Sequence, residues 1–238
     1  MARICFSFAV TGELKYLSHL DLMRLFQRAL RRAALPLVYS QGFNPHPRLS
    51  LAAPLPVGVS AARELGELFL ADDSIAPEQF LKRLQEQLPA GLILNGAAAK
   101  APGGPSLAAQ VSAARYRAAW SGLTPSPPAA ELQEAVARLL SLPEIRITHR
   151  GKGGKEAIAD IRPFIYELTA GMEGGPVLEM LLKAGSSGGV SPYLVLERLE
   201  QARSGAAGEA PAFLWNLQRL ALYRGEAGSL QELTCAGA

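Results

Sequence analysis

SHLDLMRLFQRALRRAALP, residues 18–36, reads as a helix with both ends marked. Ser18 stands as an N-cap with Asp21 three residues on, the spacing of a capping box. Leu22, Leu25, Phe26, Ala29, Leu30 and Ala33 then recur at helical spacing and make one apolar face, and Pro36 stops the run. Working outward, Arg3–Val10 (RICFSFAV) is a β-rich run ended by Thr11-Gly12. Leu37–Ser40 and Leu49–Leu55 read as strands around the loop Gln41–Arg48, and Glu64–Leu70 alternates as a further strand. Pro77 suits the first turn of a second helix with Phe80, Leu81, Leu84 and Leu88 inside, ended by Pro89-Ala90-Gly91. Leu92-Ile93-Leu94 begins a last strand. The order β-α-β-β-α-β is the split βαβ arrangement of a ferredoxin-like module.

The first module is expected over residues 1–98. Residues 99–114 are small, bear Pro and Gly, and are weakly patterned, so they read as a linker. Over residues 115–238 the same order recurs. Tyr116–Trp120 is a strand, Pro128–Leu142 a helix, and Glu144–His149 and Ile158–Leu168 are strands around the turn GKGGK at 151–155. Val177–Lys183 is a strand, Pro192–Gln201 a helix and Phe213–Tyr223 a closing strand. The expected fold is therefore α+β, with tandem ferredoxin-like (βαββαβ) modules, the second with one strand too many for a strict copy.

With 238 residues, about half of them apolar, the chain can bury a substantial core. The net charge of +3 is modest but uneven: residues 1–60 hold seven Lys and Arg against Glu13 and Asp21. Residues 61–98 carry more acids than bases, which concentrates positive potential on part of the first module. Cys5 and Cys235 stand at opposite ends without framework spacing, the usage of a reducing compartment. The N-terminus MARICFSFAV is too short and strand-like for a signal peptide, and no apolar run reaches the ~20 residues of a membrane span. The expectation is a soluble, cytoplasmic protein.

The chemical features cluster in residues 18–50. Arg24, Arg28, Arg31 and Arg32 lie three and four apart and share the helix face opposite the leucines. A solvated outer face is the plain reading. Against it, no acid after Asp21 neutralises the row on this helix, and arginine is used throughout, whose planar fork suits phosphate oxygens. In the loop QGFNPHPR (41–48), prolines on both sides of His46 fix its backbone, while Gly42 and Asn44 shape the turn. The loop is either an ordinary Asn-Pro turn or a rigid presenter of Gln41, Asn44, His46 and Arg48, with Phe43 stacked on a base or plugging the core.

Other candidates are fewer. His19 at the helix start is a surface residue, a general base or a phosphate-site donor, and Asp21 beside it is explained by capping. Convergence of His19, Asp21 and His46 on a metal lacks ligand spacing, so no metal is expected. Lys152 and Lys155 in the glycine-rich turn either are solvated or track a phosphate backbone. Asp160 and Arg162 read as neighbours on one strand face, as an ion pair or as site residues. No cofactor loop is present: the dinucleotide G-x-G-x-x-G, G-x-S-x-G and C-x-x-x-C-x-x-C patterns are all missing.

The runs YLSHLDLMRLFQRALRRAALPLVYSQGFNPHPRLSLAAPLPVG, SLAAQVSAARYRA, KEAIADIRPFIYEL and RLALYRGEAGSLQEL, in this order, resemble the bacterial radical-SAM-linked family, a domain of unknown function (DUF2344-like). In that family the domain is encoded beside, or fused to, a cobalamin-binding radical SAM protein. Neighbouring genes for ribosomal proteins and an RNase of the E/G type imply RNA or translation. The resemblance implies a partner rather than the radical SAM enzyme itself, since the cluster motif is missing. A more distant, architectural likeness is to tandem ferredoxin-like RNA-binding proteins, including CRISPR repeat-processing endoribonucleases. The leading expectation is an RNA-binding or substrate-presenting accessory partner of a cobalamin-binding radical SAM enzyme acting on tRNA or rRNA. In it Arg24, Arg28, Arg31, Arg32, Arg48, Arg162, Lys152 and Lys155 hold phosphates, and Gln41, Asn44 and His46 contact a specific group. The alternatives are an RNA-processing or RNA-modifying enzyme using His19 or His46, with Asp160, as acid–base, and a protein-docking scaffold.

Overall fold

The chain is a mixed α+β protein in a computed structural model that describes residues 1–101, 103–122, 124–150, 156–205 and 214–235. In chain order the elements are β1 (Ala2–Val10), α1 (His19–Arg32), β2 (Leu49–Leu51), β3 (Ser60–Leu70), α2 (Pro77–Gln85), β4 (Leu92–Lys100) and α3 (Leu107–Gln110). There follow β5 (Ala113–Trp120), α4 (Ala129–Ser141), β6 (Arg146–Arg150), β7 (Glu156–Asp160), β8 (Ile165–Met172) and β9 (Pro176–Lys183). The last are α5 (Pro192–Ser204), β10 (Trp215–Arg224) and β11 (Gln231–Glu232). Two units separate: Met1–Ser112 with Gln218–Ala238, and Ala113–Leu217. No helix among the described residues is long and apolar enough to cross a membrane.

In the first unit β1 is central. It pairs antiparallel with β3 (Ala2↔Leu70 to Val10↔Ala61) and with β4 (Arg3↔Lys100 to Val10↔Leu92), and short β2 pairs antiparallel with β3. The neighbour order is β4-β1-β3, with β2 pairing β3 off that path. The chain returns as β10, whose Gln218 and Arg219 lie parallel to Ser60 and Ala61 of β3, and β11 closes on β10.

The helices cover the sheet because their apolar faces match its alternation. Leu22, Phe26, Ala29 and Leu30 of α1, with Phe80 and Leu84 of α2, are buried together with Ile4, Phe6 and Phe8 of β1. Phe6, Phe8, Phe26 and Phe80 meet at ring-centroid distances of 4.9 to 5.8 Å. Gly66, in register with Phe6, makes room for that ring, since a Cβ at this position would run into it. Helix α1 starts as its sequence indicates: Ser18 Oγ accepts from the Asp21 amide at 3.2 Å. It ends at Ala34, whose φ of +50° is one that glycine usually supplies, with Pro36 following.

Two buried ion pairs, not anticipated from the sequence, organise the first unit. The Arg3 guanidinium donates to the Glu67 carboxylate, to the Gly103 carbonyl at 3.1 Å and to the Pro105 carbonyl at 2.8 Å. Glu67 also accepts from the Leu107 amide at 3.2 Å. Arg219 donates to the Glu64 carboxylate, with Nε at 2.7 Å, and to the carbonyls of Pro54 at 2.9 Å and Ala53 at 3.2 Å. Each pair is thus satisfied by backbone as well as by its partner, the condition under which buried charges persist.

These contacts correct the expected domain plan. The presumed linker 99–114 holds the end of β4, helix α3 and the start of β5, because Arg3 and Glu67 tether residues 103–107. The tail from Gln218 belongs to the first unit rather than to a module over 115–238, held by Arg219 on Glu64. The expected thiols are corrected as well. Cys5 and Cys235 form a disulfide with Cα atoms 5.3 Å apart, since the returning tail brings the chain's ends together.

Local strand assignments shift too. Leu37–Ser40 forms only isolated bridges, Leu37↔Leu70 and Tyr39↔Pro47, and β2 stops at Leu51 rather than Leu55. The strand expected over Ile158–Leu168 is broken by a 3-10 turn at Arg162–Phe164 into β7 and β8.

In the second unit β9 lies between β5 and β8, antiparallel to both, and β6 and β7 form a separate hairpin. Helices α4 and α5 are joined by Arg203 to Glu131 at 2.7 Å and by Arg138 to the Ala202 carbonyl at 2.7 Å. Trp120 and Trp215 pack edge to face at 5.0 Å, and the Trp215 indole N–H donates to buried Glu200 at 3.1 Å.

Candidate functional site

The arginine row is exposed along α1, but its members differ in what holds them. Arg24 pairs with Asp21 at 3.1 Å, and Arg32 donates to the Gln87 carbonyl at 2.6 Å. The Ser18 hydroxyl, and after it Arg24, hold the Asp21 carboxyl below the usual carboxylate range. Arg28 and Arg31 form no ion pair among the described residues, although Arg28 lies near enough to Asp21 to help hold that carboxyl down. Arg31 and Arg32 occupy the last turn, where cations also complement the helix dipole. No acidic residue occurs between Asp21 and Glu64. Everything from Leu22 through β2 is therefore neutral or cationic.

The loop after α1 is anchored at its foot and open at its tip. Val38 donates to the Phe69 carbonyl at 2.9 Å and accepts from the Arg48 amide at 2.8 Å. Ser40 donates its amide to the His46 carbonyl at 2.8 Å, and its Oγ accepts from the His46 amide at 3.1 Å. Pro47 is buried, whereas Gln41 to His46 are all exposed, and Gly42 takes φ +130°, a region open in practice to glycine. Phe43, one of whose readings was a core plug, is 106% exposed. Arg48 sits over Phe69, its guanidinium carbon 4.1 Å from the ring centroid. A cavity of about 230 Å³ lined by Arg48, Leu49, Ser50, Glu67 and Phe69 lies at the loop's foot.

The two candidate acid–base histidines are not brought together. His19 opens α1 just beyond the β1 terminus at Val10, whereas His46 hangs from a loop bonded at the level of Phe69 and Arg3, near the start of β1. Helix α1, with its 14 residues, separates these two ends by about 21 Å. The His19 Nδ1 is closed off from solvent, with no hydrogen-bond partner among the described residues. Among the described residues no three His, Cys, Asp or Glu side chains come close enough to hold a metal ion.

Asp160 and Arg162 turn out to be local braces rather than one strand face. Asp160 Oδ1 accepts from the Ile145 amide at 2.8 Å and the Arg162 amide at 2.9 Å. These amides, the Arg162 one first, hold the Asp160 carboxyl below the usual range. The Arg162 guanidinium donates to the Leu140 carbonyl at 3.1 Å and the Ile165 carbonyl at 3.4 Å. Lys152 and Lys155 lie outside the described residues. The sequence carried a signal for what was overlooked: Arg3, Glu64, Glu67 and Arg219 each interrupt an apolar strand, where an unpaired charge would be costly.

The fold and surface together define a mixed α+β protein that presents an arginine-bearing helix and an anchored polar loop. The chain belongs to a bacterial family, DUF2344, described as an uncharacterized protein conserved in bacteria, which matches residues 3–192. Among solved structures it is similar to a chain in the crystal structure of a Cbf5-Nop10-Gar1 complex, with TM-score 0.44 and 10% identity. That likeness covers 91% of this chain and 48% of the other, so the chain spans about half its length. No curated protein matches.

Proposed function

We propose that the chain is an RNA-binding or substrate-presenting partner of a cobalamin-binding radical SAM enzyme that modifies tRNA or rRNA in the cytoplasm. Its architecture in this reading is two ferredoxin-like modules in tandem, with the β6–β7 hairpin as the additional element of the second. The observation that carries the RNA reading is the acid-free run from Leu22 to the end of β2, with exposed Arg28 and Arg31 in no ion pair among the described residues. Arginines left to solvent in this way can neutralise backbone phosphates without first breaking an ion pair. Gln41, Asn44 and His46 supply donors and acceptors on an anchored loop. The enzyme reading asks for His19 and His46 in one cleft, which the fold does not provide.

The test is salt dependence. RNA affinity should fall steeply with salt, with a log–log slope of about 0.7 for each single-strand phosphate neutralised. Arg28→Ala and Arg31→Ala should each lower that slope by about one phosphate contact, with little change in melting temperature. Nucleoside mass spectrometry should show a new modification only when the radical SAM partner is added. Salt-independent binding, or undiminished binding by the double variant, would retire the reading.

A further inference from the structure

We infer that the loop Tyr39–Arg48 is a binding site for an unpaired nucleobase, with Phe43 as the stacking surface. The inference rests on the RNA reading above and names the form of RNA the site takes: single-stranded or looped-out, not duplex.

The argument begins with where Phe43 is. A single exposed apolar side chain needs no explanation by itself. Phe43 differs because it stands, fully exposed, at the tip of a loop whose foot is closed by four backbone or hydroxyl hydrogen bonds. Burying a phenylalanine ring is favourable, yet this one stands wholly in solvent. The tip is shaped to project: Gly42 takes φ +130°, and Pro45 and Pro47 limit the return strand. The closed foot and the restricted tip lower the ordering cost of presenting an aromatic face outward.

The surroundings select the ligand. A pocket-filling anchor for a protein partner usually sits within an apolar patch that excludes water around it. Phe43 instead has Gln41, Asn44 and His46 as its neighbours, all exposed and all able to donate and accept hydrogen bonds. An aromatic face beside amide and imidazole groups suits a base, which offers a π-face and a polar edge together. Arg48 at the foot and the exposed arginines of α1 supply cations, and no acid interrupts the run. A second aromatic, Tyr39, is partly exposed at the foot beside Pro47. In a duplex the base faces are stacked on one another, so a projecting ring has nothing to cover. Only an unpaired base can meet Phe43.

The experiment uses the full chain and fluorescein-labelled RNA probes: a mixed-sequence single strand of about 12 nucleotides, the same strand annealed to its complement, and an abasic strand of equal length. Wild type should prefer the single strand to the duplex. Phe43→Leu should weaken single-strand binding about tenfold, the usual effect of losing one base stack. The same change should leave duplex and abasic binding unaltered, and Phe43→Tyr should restore the single-strand affinity. Because the ring is exposed, melting temperatures of all variants should match wild type, which separates a binding defect from misfolding.

If single-strand affinity is indifferent to Phe43→Leu while Arg28→Ala still weakens it, base stacking is overturned and the RNA reading stands. Equal affinity for duplex and single strand also overturns the inference. If no probe binds, the RNA reading falls and the inference with it. If Phe43→Leu leaves RNA binding intact but abolishes co-purification of the radical SAM protein, the loop belongs to a protein interface instead.

Discussion

His46 donates its amide to Ser40 Oγ and accepts the Ser40 amide on its carbonyl, while its ring stays in solvent. Its backbone closes the loop; its side chain closes nothing. His46→Ala should therefore change stability by no more than about 0.5 kcal/mol, the range for exposed positions, while lowering RNA affinity or partner-dependent modification. A denaturant melt paired with a binding isotherm checks both halves. A large loss of stability would show that the ring is structural. At this scale the sequence was readable where chemistry is local. Two prolines around a histidine announce a fixed backbone whatever the tertiary context. Asp160 and Arg162 were misread because their partners, Ile145 and Leu140, are bound through backbone atoms that leave no residue-type signal. Phe43 had two open readings for a related reason: pattern alone cannot say whether an isolated aromatic in a loop turns inward.

Elements divide along the same line. Helices α1 and α2 of the first unit were legible, since caps, proline stops and apolar periodicity all lie within the segments themselves. Strand extents were less so. The pairing that limits β2 to Leu49–Leu51 and leaves Leu37–Ser40 as isolated bridges depends on Leu68 and Leu70 of β3, which are distant in sequence. Helix α3 was hidden for the same reason: its approach is fixed by Arg3, about a hundred residues earlier, and by Glu67. Gly66 shows how an element can depend on one missing atom. It looks dispensable within ELGELFL, a strand where glycine normally weakens pairing, yet it is the seat of the Phe6 ring. Gly66→Ala should gain strand propensity and still lose about 1–3 kcal/mol, because the ring at the centre of the phenylalanine cluster has to move. Enlarging the seat tests that account: Phe6→Leu should make Gly66→Ala much less harmful. Additive losses in that double-mutant cycle would place the strain elsewhere.

At the scale of the whole molecule the fold depends on the tail returning to its beginning. The sequence showed cysteines at the two ends without a framework, but no local rule says that residues 230 apart share a site. The return is secured in three ways that differ in kind. Arg219 is buried against Glu64, β11 pairs with β10 while Glu232 meets Arg63, and Cys235 is bonded to Cys5. Only the third is lost on reduction. In the chain-entropy account a cross-link closing so long a loop stabilises by roughly 5 kcal/mol, an effect on the unfolded chain that leaves native contacts in place. Reduction, or Cys235→Ser, should therefore lower the denaturation midpoint of the first unit. Faster amide exchange should be confined to the tail around β11, because the Arg219–Glu64 pair still pins β10 to β3. Cys5, only 1% exposed, should resist alkylation in the native reduced protein, whereas Cys235 should react first as the tail opens. Exchange mass spectrometry with and without reductant, alongside alkylation mapping, reads all of this. An unchanged midpoint with unchanged tail exchange would mean that the bond adds nothing to the noncovalent return. Exchange spreading through β1 and β3 would instead make the disulfide, and not the buried arginine, the element that holds the ends of the first unit together.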